Sequence, residues 1–219
     1  MDYLFFDLDG TLLDSGDGIM KCVQYALQTQ GVEENDFHLL RRHVGPPLKQ
    51  GFIDFYGFDD KRATDAVVEY RKQYKIEWKS GTTPYPGIEE CLGGLKDKGI
   101  QLIVTTSKPE HLAKEFLDYF QLSQYFIDIC GSVETGNKIR TTKAAVIRYA
   151  IEKNQITGKD HVFMIGDRCY DVEGASECGI PCIGVTYGFG TREELSGAIA
   201  IVDSCMELEQ VAFEMVAKK

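Results

Sequence analysis

The sequence predicts an α/β protein: a parallel sheet covered by helices, with a helical insertion placed just after the first strand. Three observations predict it. Short, continuous, apolar and β-branched runs recur along the chain, amphipathic stretches of helical period separate them, and one long segment near the N-terminus breaks the alternation. Continuous runs mark strands buried on both faces, as in a parallel sheet.

Tyr3–Phe6 reads as the first strand and runs directly into Asp7. From residue 16 to about 82 no strand pattern is found. Ile19, Val23, Ala26 and Leu27 form a stripe that ends at Gly31; Phe52, Phe55 and Tyr56 suggest another, and Ala63, Val67, Tyr70 and Tyr74 a third. Residues 79–84 are polar, rich in turn formers and free of periodicity, which suits a return linker. The expected division is therefore a sheet domain of residues 1–15 and 83–219 and a helical domain of residues 16–82. Beyond the linker, Leu102–Thr105, Phe126–Cys130, Val162–Ile165, Cys182–Val185 and Ile199–Val202 read as buried strands. Between or after them lie helical faces made by Leu112, Phe116 and Phe120, by Val146, Tyr149 and Ala150, and by Leu208, Val211, Ala212 and Met215.

Composition bounds the function. The 219 residues are 43% hydrophobic and 26% charged, with 22 Gly and 6 Pro, ordinary proportions for a globular chain long enough to bury a core. The formal charge of −10 opposes general affinity for nucleic acid or an anionic membrane. A phosphate-bearing ligand would need local cations. No apolar run reaches the length of a membrane span, and the N-terminus, with an acid at position 2 and four apolar residues before Asp7, does not read as a signal peptide. The seven cysteines are scattered without a CxxC pair, usage that suits a reducing cytoplasm. None of the four histidines has a metal partner at sensible spacing.

Chemistry-bearing residues gather at predicted strand ends. The first strand ends in Asp7-Leu8-Asp9-Gly10-Thr11, two carboxylates at i and i+2 followed by a glycine that lets backbone amides approach a ligand. In open α/β sheets ligands bind outside the carboxyl ends of the strands. A second run ends in Thr105-Thr106-Ser107-Lys108, and another in Gly166-Asp167-Arg168, with Asp171 one helical turn beyond Asp167. Between them Thr141-Thr142-Lys143 opens a helix and supplies a cation. Clustered carboxylates at a Gly-containing loop favour a hard divalent ion such as Mg²⁺. Together with a lysine, they suit phosphoryl transfer, which needs a nucleophile, a proton donor for the leaving oxygen and positive charge on the phosphoryl oxygens.

These residues, in this order, resemble the four motifs of the haloacid dehalogenase-like hydrolases: Asp7-Leu8-Asp9-Gly10-Thr11, Thr106-Ser107-Lys108, Lys143, and Gly166-Asp167 with Asp171. The resemblance implies a Rossmann-like parallel-sheet core with a helical C1 cap at 16–82. Val44-Gly45-Pro46-Pro47-Leu48 and Gly184-Val185-Thr186-Tyr187-Gly188-Phe189-Gly190 are similar to the phosphoglycolate phosphatase-like and 5′-nucleotidase-like branch. By position, the resemblance makes Asp7 the nucleophile and Asp9 the general acid and base. Thr106 would contact the transferring phosphoryl group beside the Ser107 amide, Lys143 would hold the charge, and the Gly10 and Thr11 amides would cradle phosphate oxygens. Mg²⁺ would be bound by Asp7, the Asp9 carbonyl and Asp167, with Asp171 orienting that shell. Lys143 is preferred over Lys138 because it opens a helix; Ser107, Lys108 and Arg168 are supporting candidates.

The implied activity is Mg²⁺-dependent hydrolysis of a small phosphorylated metabolite, phosphoglycolate-like or nucleotide-like. A phosphomutase of the same fold, as in relatives resembling β-phosphoglucomutase, or a non-catalytic phospho-acceptor would be the alternatives. Leaving-group recognition would fall to the insertion, where Arg41, Arg42, Lys49 and Arg71, with His43 beside them, are the polar candidates.

Overall fold

In the computed structural model, residues 1–135 and 138–217 are described. The chain forms β1 (Asp2–Phe6), β2 (Leu13–Asp14), α1 (Gly16–Thr29), α2 (Phe37–Arg41), α3 (Leu48–Tyr56), α4 (Asp60–Glu77) and β3 (Thr83–Pro84). It continues through α5 (Ile88–Asp97), β4 (Gln101–Pro109), α6 (Glu110–Tyr119), β5 (Asp128–Thr135), β6 (Lys138–Arg140) and α7 (Lys143–Lys153). The C-terminal part holds β7 (His161–Gly166), α8 (Cys169–Glu177), β8 (Cys182–Val185), β9 (Ala200–Val202) and α9 (Cys205–Ala217).

The large sheet has the order β6-β5-β4-β1-β7-β8-β9. Its neighbours pair in parallel except β5 with β6. The central strand β1 is sequestered on both faces: Leu4, Phe5 and Phe6 are fully buried. The burial of its apolar side chains drives the fold. Chain order runs outward from β1 to one side through β4 and β5, then returns to the other side through β7 and β8. The reversal places a crevice at the carboxyl end of β1, where ligands of such sheets bind. One layer of core between sheet and helices joins Tyr3, Phe5, Ile103, Val146, Ile147, Ala150, Met164 and Ala175.

The chain divides into two compact units, Met1–Leu12 with Pro84–Lys219, and Leu13–Thr83. The second unit is helical. Ile19, Cys22, Val23, Ala26 and Leu27 are buried on α1, and Ala63, Ala66, Val67, Tyr70 and Tyr74 on α4. Asp59 caps α4 by accepting from the Arg62 N–H at 2.7 Å, and Gly57, with φ +65°, ends α3.

Several elements depart from the sequence-based expectation. The segment Ile88–Asp97 is a helix with Ile88, Cys91, Leu92 and Leu95 buried, an i, i+3, i+4, i+7 pattern weakened locally by Gly93-Gly94. β4 continues through Thr106 to Pro109, so Thr106, Ser107 and Lys108 lie on the strand and α6 begins after them. β5 starts at Asp128, two residues later than expected, because Ser123–Tyr125 turns as a short 3₁₀ segment. The sheet is not wholly parallel: β6 adds an antiparallel edge.

Candidate active site

β1 delivers Asp7 to the carboxyl end of the sheet, where its N–H donates to the Ile165 carbonyl of β7 at 2.9 Å. The chain then turns tightly, with the Leu12 N–H donating to the Leu8 carbonyl at 2.9 Å. Gly10 takes a φ of +89°, and a Cβ there would fall within 3.0 Å of the Asp167 carboxylate. The glycine is required twice, once by the backbone and once by close approach.

Lys143 is the first residue of α7, whose N-cap Thr142 accepts from the Ala145 N–H at 3.2 Å. Its buried ammonium forms ion pairs at 2.7 Å with both Asp7 and Asp171 and donates to the Thr105 carbonyl at 3.2 Å. Asp171 sits in the first turn of α8, and its second oxygen accepts from the Arg168 N–H at 3.1 Å. Asp167 accepts from the Phe189 N–H at 2.7 Å and from the Thr11 hydroxyl at 3.4 Å. Carboxylate oxygens of Asp7, Asp167 and Asp171 lie within 4.8 Å of one another, all buried.

Three buried acids with one ammonium set the electrostatics. Burial pushes the Asp7 carboxyl up to about 6; Lys143 opposes the rise, and Asp171 adds to it. Asp167 is raised well above the ordinary carboxylate range, first by burial and then by Asp171 and Asp7. For Lys143, burial alone would lower the value, yet the two carboxylates together raise it and keep the ammonium charged. A compact set of hard oxygen donors with unbalanced negative charge fits a divalent cation, and its donor chemistry selects ions of the Mg²⁺ and Ca²⁺ type.

Asp9 faces a different partner. The Lys108 ammonium donates to both of its oxygens, at 2.8 and 2.7 Å. Lys108 is buried and also lies 4.6 Å from the Phe116 ring centroid. Thr106 is buried on the same strand, with its hydroxyl accepting from the Lys108 N–H at 3.2 Å. The Thr11 N–H lies 3.4 Å from the Leu8 carbonyl. Asp7, Asp9, Gly10, Thr11, Thr106, Ser107, Lys108, Lys143, Asp167 and Asp171 all belong to the sheet unit. The side chain of Lys138, the other lysine considered from sequence, lies outside the described residues.

In the helical unit, Arg41, Arg42 and Arg71 are exposed and Lys49 is half-exposed. Lys49 pairs with Asp60 at 2.7 Å, and the Arg42 guanidinium lies 4.5 Å above the Phe55 ring. His43, beside them in sequence, is buried among Phe52, Phe55 and Tyr56.

Sequence reasoning treated Lys108 as a supporting candidate at a helix start. Its pairing with Asp9 follows from the extension of β4 past Thr106, which local pattern did not show. In the sequence the loop at 186–190 stands out only as part of a run of similarity. Its glycines at 188 and 190 were the available signal, because close backbone packing demands them: a Cβ at either would fall within 3.0 Å of Asp167.

The sequence profile of the haloacid dehalogenase-like hydrolases matches residues 4–185, which include Asp7, Asp9, Thr106, Lys108, Lys143, Asp167 and Asp171. The chain belongs to that family. It is similar to a 5′-nucleotidase of Pseudomonas aeruginosa, 42% identical across 88% of this chain and 86% of that protein. It is also 29% identical to a phosphoglycolate phosphatase of Pseudomonas putida, over 85% of this chain and 70% of the other. A tyrosine-protein kinase PtkA of Mycobacterium tuberculosis is 33% identical over 87% of this chain and 64% of its own length. Among solved structures, a predicted phosphatase from Clostridium acetobutylicum superposes with a TM-score of 0.92 at 46% identity, covering 97% of this chain and 98% of that one. This haloacid dehalogenase-like hydrolase is a phosphatase by class, and members of its family generally use a divalent metal.

Proposed function

We propose that the chain is a Mg²⁺-dependent phosphomonoesterase that hydrolyses a small phosphorylated metabolite, phosphoglycolate-like or nucleotide-like, through an aspartyl-phosphate at Asp7. The observation that carries the reading is the Lys143 ammonium held 2.7 Å from both Asp7 and Asp171, with Asp167 completing a tight carboxylate group at the end of the central strand. The relatives named for 5′-nucleotides and phosphoglycolate support the substrate class.

In the first step an Asp7 oxygen attacks phosphorus, the bond from phosphorus to the ester oxygen breaks, and Asp9 gives its proton to the departing oxygen. In the second, water attacks the phosphorus of the aspartyl-phosphate and Asp9 takes back a proton. The bond between phosphorus and the Asp7 oxygen breaks, and inorganic phosphate leaves. Lys143 balances charge on Asp7 and the phosphoryl oxygens, while the Thr106 hydroxyl and the backbone N–H groups of Gly10, Thr11 and Ser107 orient those oxygens. Lys108 holds the Asp9 carboxylate by both oxygens and positions it; one of these bonds opens when Asp9 carries the proton it gives to the leaving oxygen. Asp7, Asp167 and the Asp9 carbonyl would hold Mg²⁺, with Asp171 bracing the group, and the bound ion would neutralise charge on the transferring phosphoryl group. The helical unit would recognise the leaving group, with Arg41, Arg42, Lys49 and Arg71 as the contacts to test.

The test is phosphate release from a panel of esters after chelation and with Mg²⁺ restored. The panel holds a chromogenic aryl phosphate, 2-phosphoglycolate, 5′- and 3′-nucleotides, sugar phosphates and pyrophosphate, with Asp7→Asn as control. The expected result is turnover that requires Mg²⁺, favours phosphoglycolate or a 5′-nucleotide and disappears in the control. Absence of release from every ester by folded protein with Mg²⁺ would overturn the reading.

A further inference from the structure

The loop that follows β8 touches both acidic turns of the site. Its Phe189 N–H donates to the Asp167 carboxylate at 2.7 Å. Gly188 lies against the Gly10 carbonyl and the Asp167 side chain, and Gly190 against the Asp167 carbonyl, each so closely that a Cβ could not be accommodated. Between β8 and these contacts stands Tyr187, whose hydroxyl donates to the Thr11 carbonyl at 3.2 Å. Its ring packs on Tyr85 with centroids 4.8 Å apart. Burial, with the Cys205 thiol beside the hydroxyl, holds the phenol well above its ordinary value, so it remains a neutral donor. The turn at residues 8–12 is thus tied down at three carbonyls: Leu8 by the Leu12 N–H, Thr11 by Tyr187 and Leu12 by the Tyr85 N–H at 3.1 Å.

From these contacts we infer that Tyr187 is a positioning residue for the reaction, its hydroxyl fixing the Gly10–Thr11 turn against Asp167 through the Thr11 carbonyl. The inference deepens the proposed phosphatase reading of the same site and rests on it. Its physical basis is that a bond to Thr11 O fixes the Thr11–Leu12 peptide and so restricts rotation at Thr11, whose own N–H is proposed to meet the phosphoryl oxygens. Preorganised donors matter most where charge develops in the transition state, so a loosened turn costs turnover more than binding. The same loop grips Asp167 through a backbone N–H, which no side-chain change at 187 removes. The hydroxyl can therefore be tested apart from the rest of the loop.

Tyr187→Phe deletes the hydroxyl and keeps the ring on Tyr85. With the best ester from the panel and saturating Mg²⁺, kcat should fall about tenfold while KM stays within about twofold. Cys205→Ala removes the hydroxyl's other neighbour and leaves the bond to Thr11; its kcat should stay within about twofold of the parent. Thermal melts of all three proteins check that the fold is kept. A Tyr187→Phe kcat within about twofold of the parent would overturn the inference, as would an equal loss in Cys205→Ala or a loss expressed wholly in KM. Inactive parent protein would defeat the phosphatase reading itself, a distinguishable failure.

Discussion

Replacing Asp7 by asparagine keeps the shape of a buried side chain and removes one of three carboxyl groups crowded within 4.8 Å. In the folded chain its carboxyl is raised from 3.8 to about 6, with burial the largest cause. A carboxyl raised in the folded state stabilises the fold below its unfolded value and loses that contribution as pH rises through the folded value. Ionised Asp7 therefore works against folding above about pH 6, by about 3 kcal/mol if the whole difference is expressed. The attraction of Lys143 for Asp7 is already contained in that figure, and Lys143 keeps its 2.7 Å contact with Asp171 in the variant; relaxation and water entry around a buried charge reduce the part that is expressed. The net expected gain is about 1–2 kcal/mol at neutral pH without divalent ions. For a chain of this size that corresponds to a rise of about 2–8 °C in Tm. The assay is a melt of parent and Asp7→Asn in chelator, repeated from about pH 4 to about pH 8. The gain should be near nil at the acidic end, grow towards about pH 6 and level off above it. A variant melting at or below the parent at neutral pH would refute the reasoning, as would a gain independent of pH.

Other perturbations follow from the same geometry. His43 is buried and its value lowered to about 4 by burial, with Arg42 adding to the effect. The helical unit should thus lose about 3 kcal/mol as pH falls from 6.5 to about 4, and circular-dichroism melts of His43→Leu should show that dependence reduced. Gly10→Ala puts a Cβ into the Asp167 carboxylate at a φ of +89°. Urea unfolding should show a loss of more than about 2 kcal/mol, and phosphate release should be abolished. Lys108→Met breaks the two bonds to Asp9 and should destabilise the protein by about 2–3 kcal/mol, with turnover down at least tenfold in the same release assay.

Much of the site was legible because its chemistry is carried by short-range pattern. Asp7 and Asp9 follow a four-residue apolar run, and Lys143 follows a capping threonine, so each could be placed on an element from local sequence alone. The Lys108–Asp9 pair was not legible, since it depends on β4 continuing past Thr105, through a shift of register against β5, where local pattern suggested a helix start. Likewise Tyr187 and Phe189 reach Thr11 and Asp167 across more than a hundred and about twenty residues of sequence respectively, and local periodicity carries no information about such meetings. In the fold, the buried runs of β1, β4, β7 and β8 were plain because both of their faces are covered. α5 was obscured by Gly93-Gly94 inside an otherwise regular apolar stripe, and β6 by its brevity. Leu13–Asp14 and Thr83–Pro84, which form a two-stranded sheet, are too short for any period to show.

In the proposed reaction Asp7 itself carries the phosphoryl group during turnover. Borohydride added during steady-state hydrolysis of the best ester should reduce an aspartyl-phosphate to homoserine, and mass spectrometry of the peptide spanning residue 7 reads the outcome. Homoserine is expected at position 7, present only with substrate and Mg²⁺ and absent from Asp7→Asn. Unmodified Asp7 in an actively hydrolysing sample, or homoserine at Asp9 or Asp167 in its place, would contradict it.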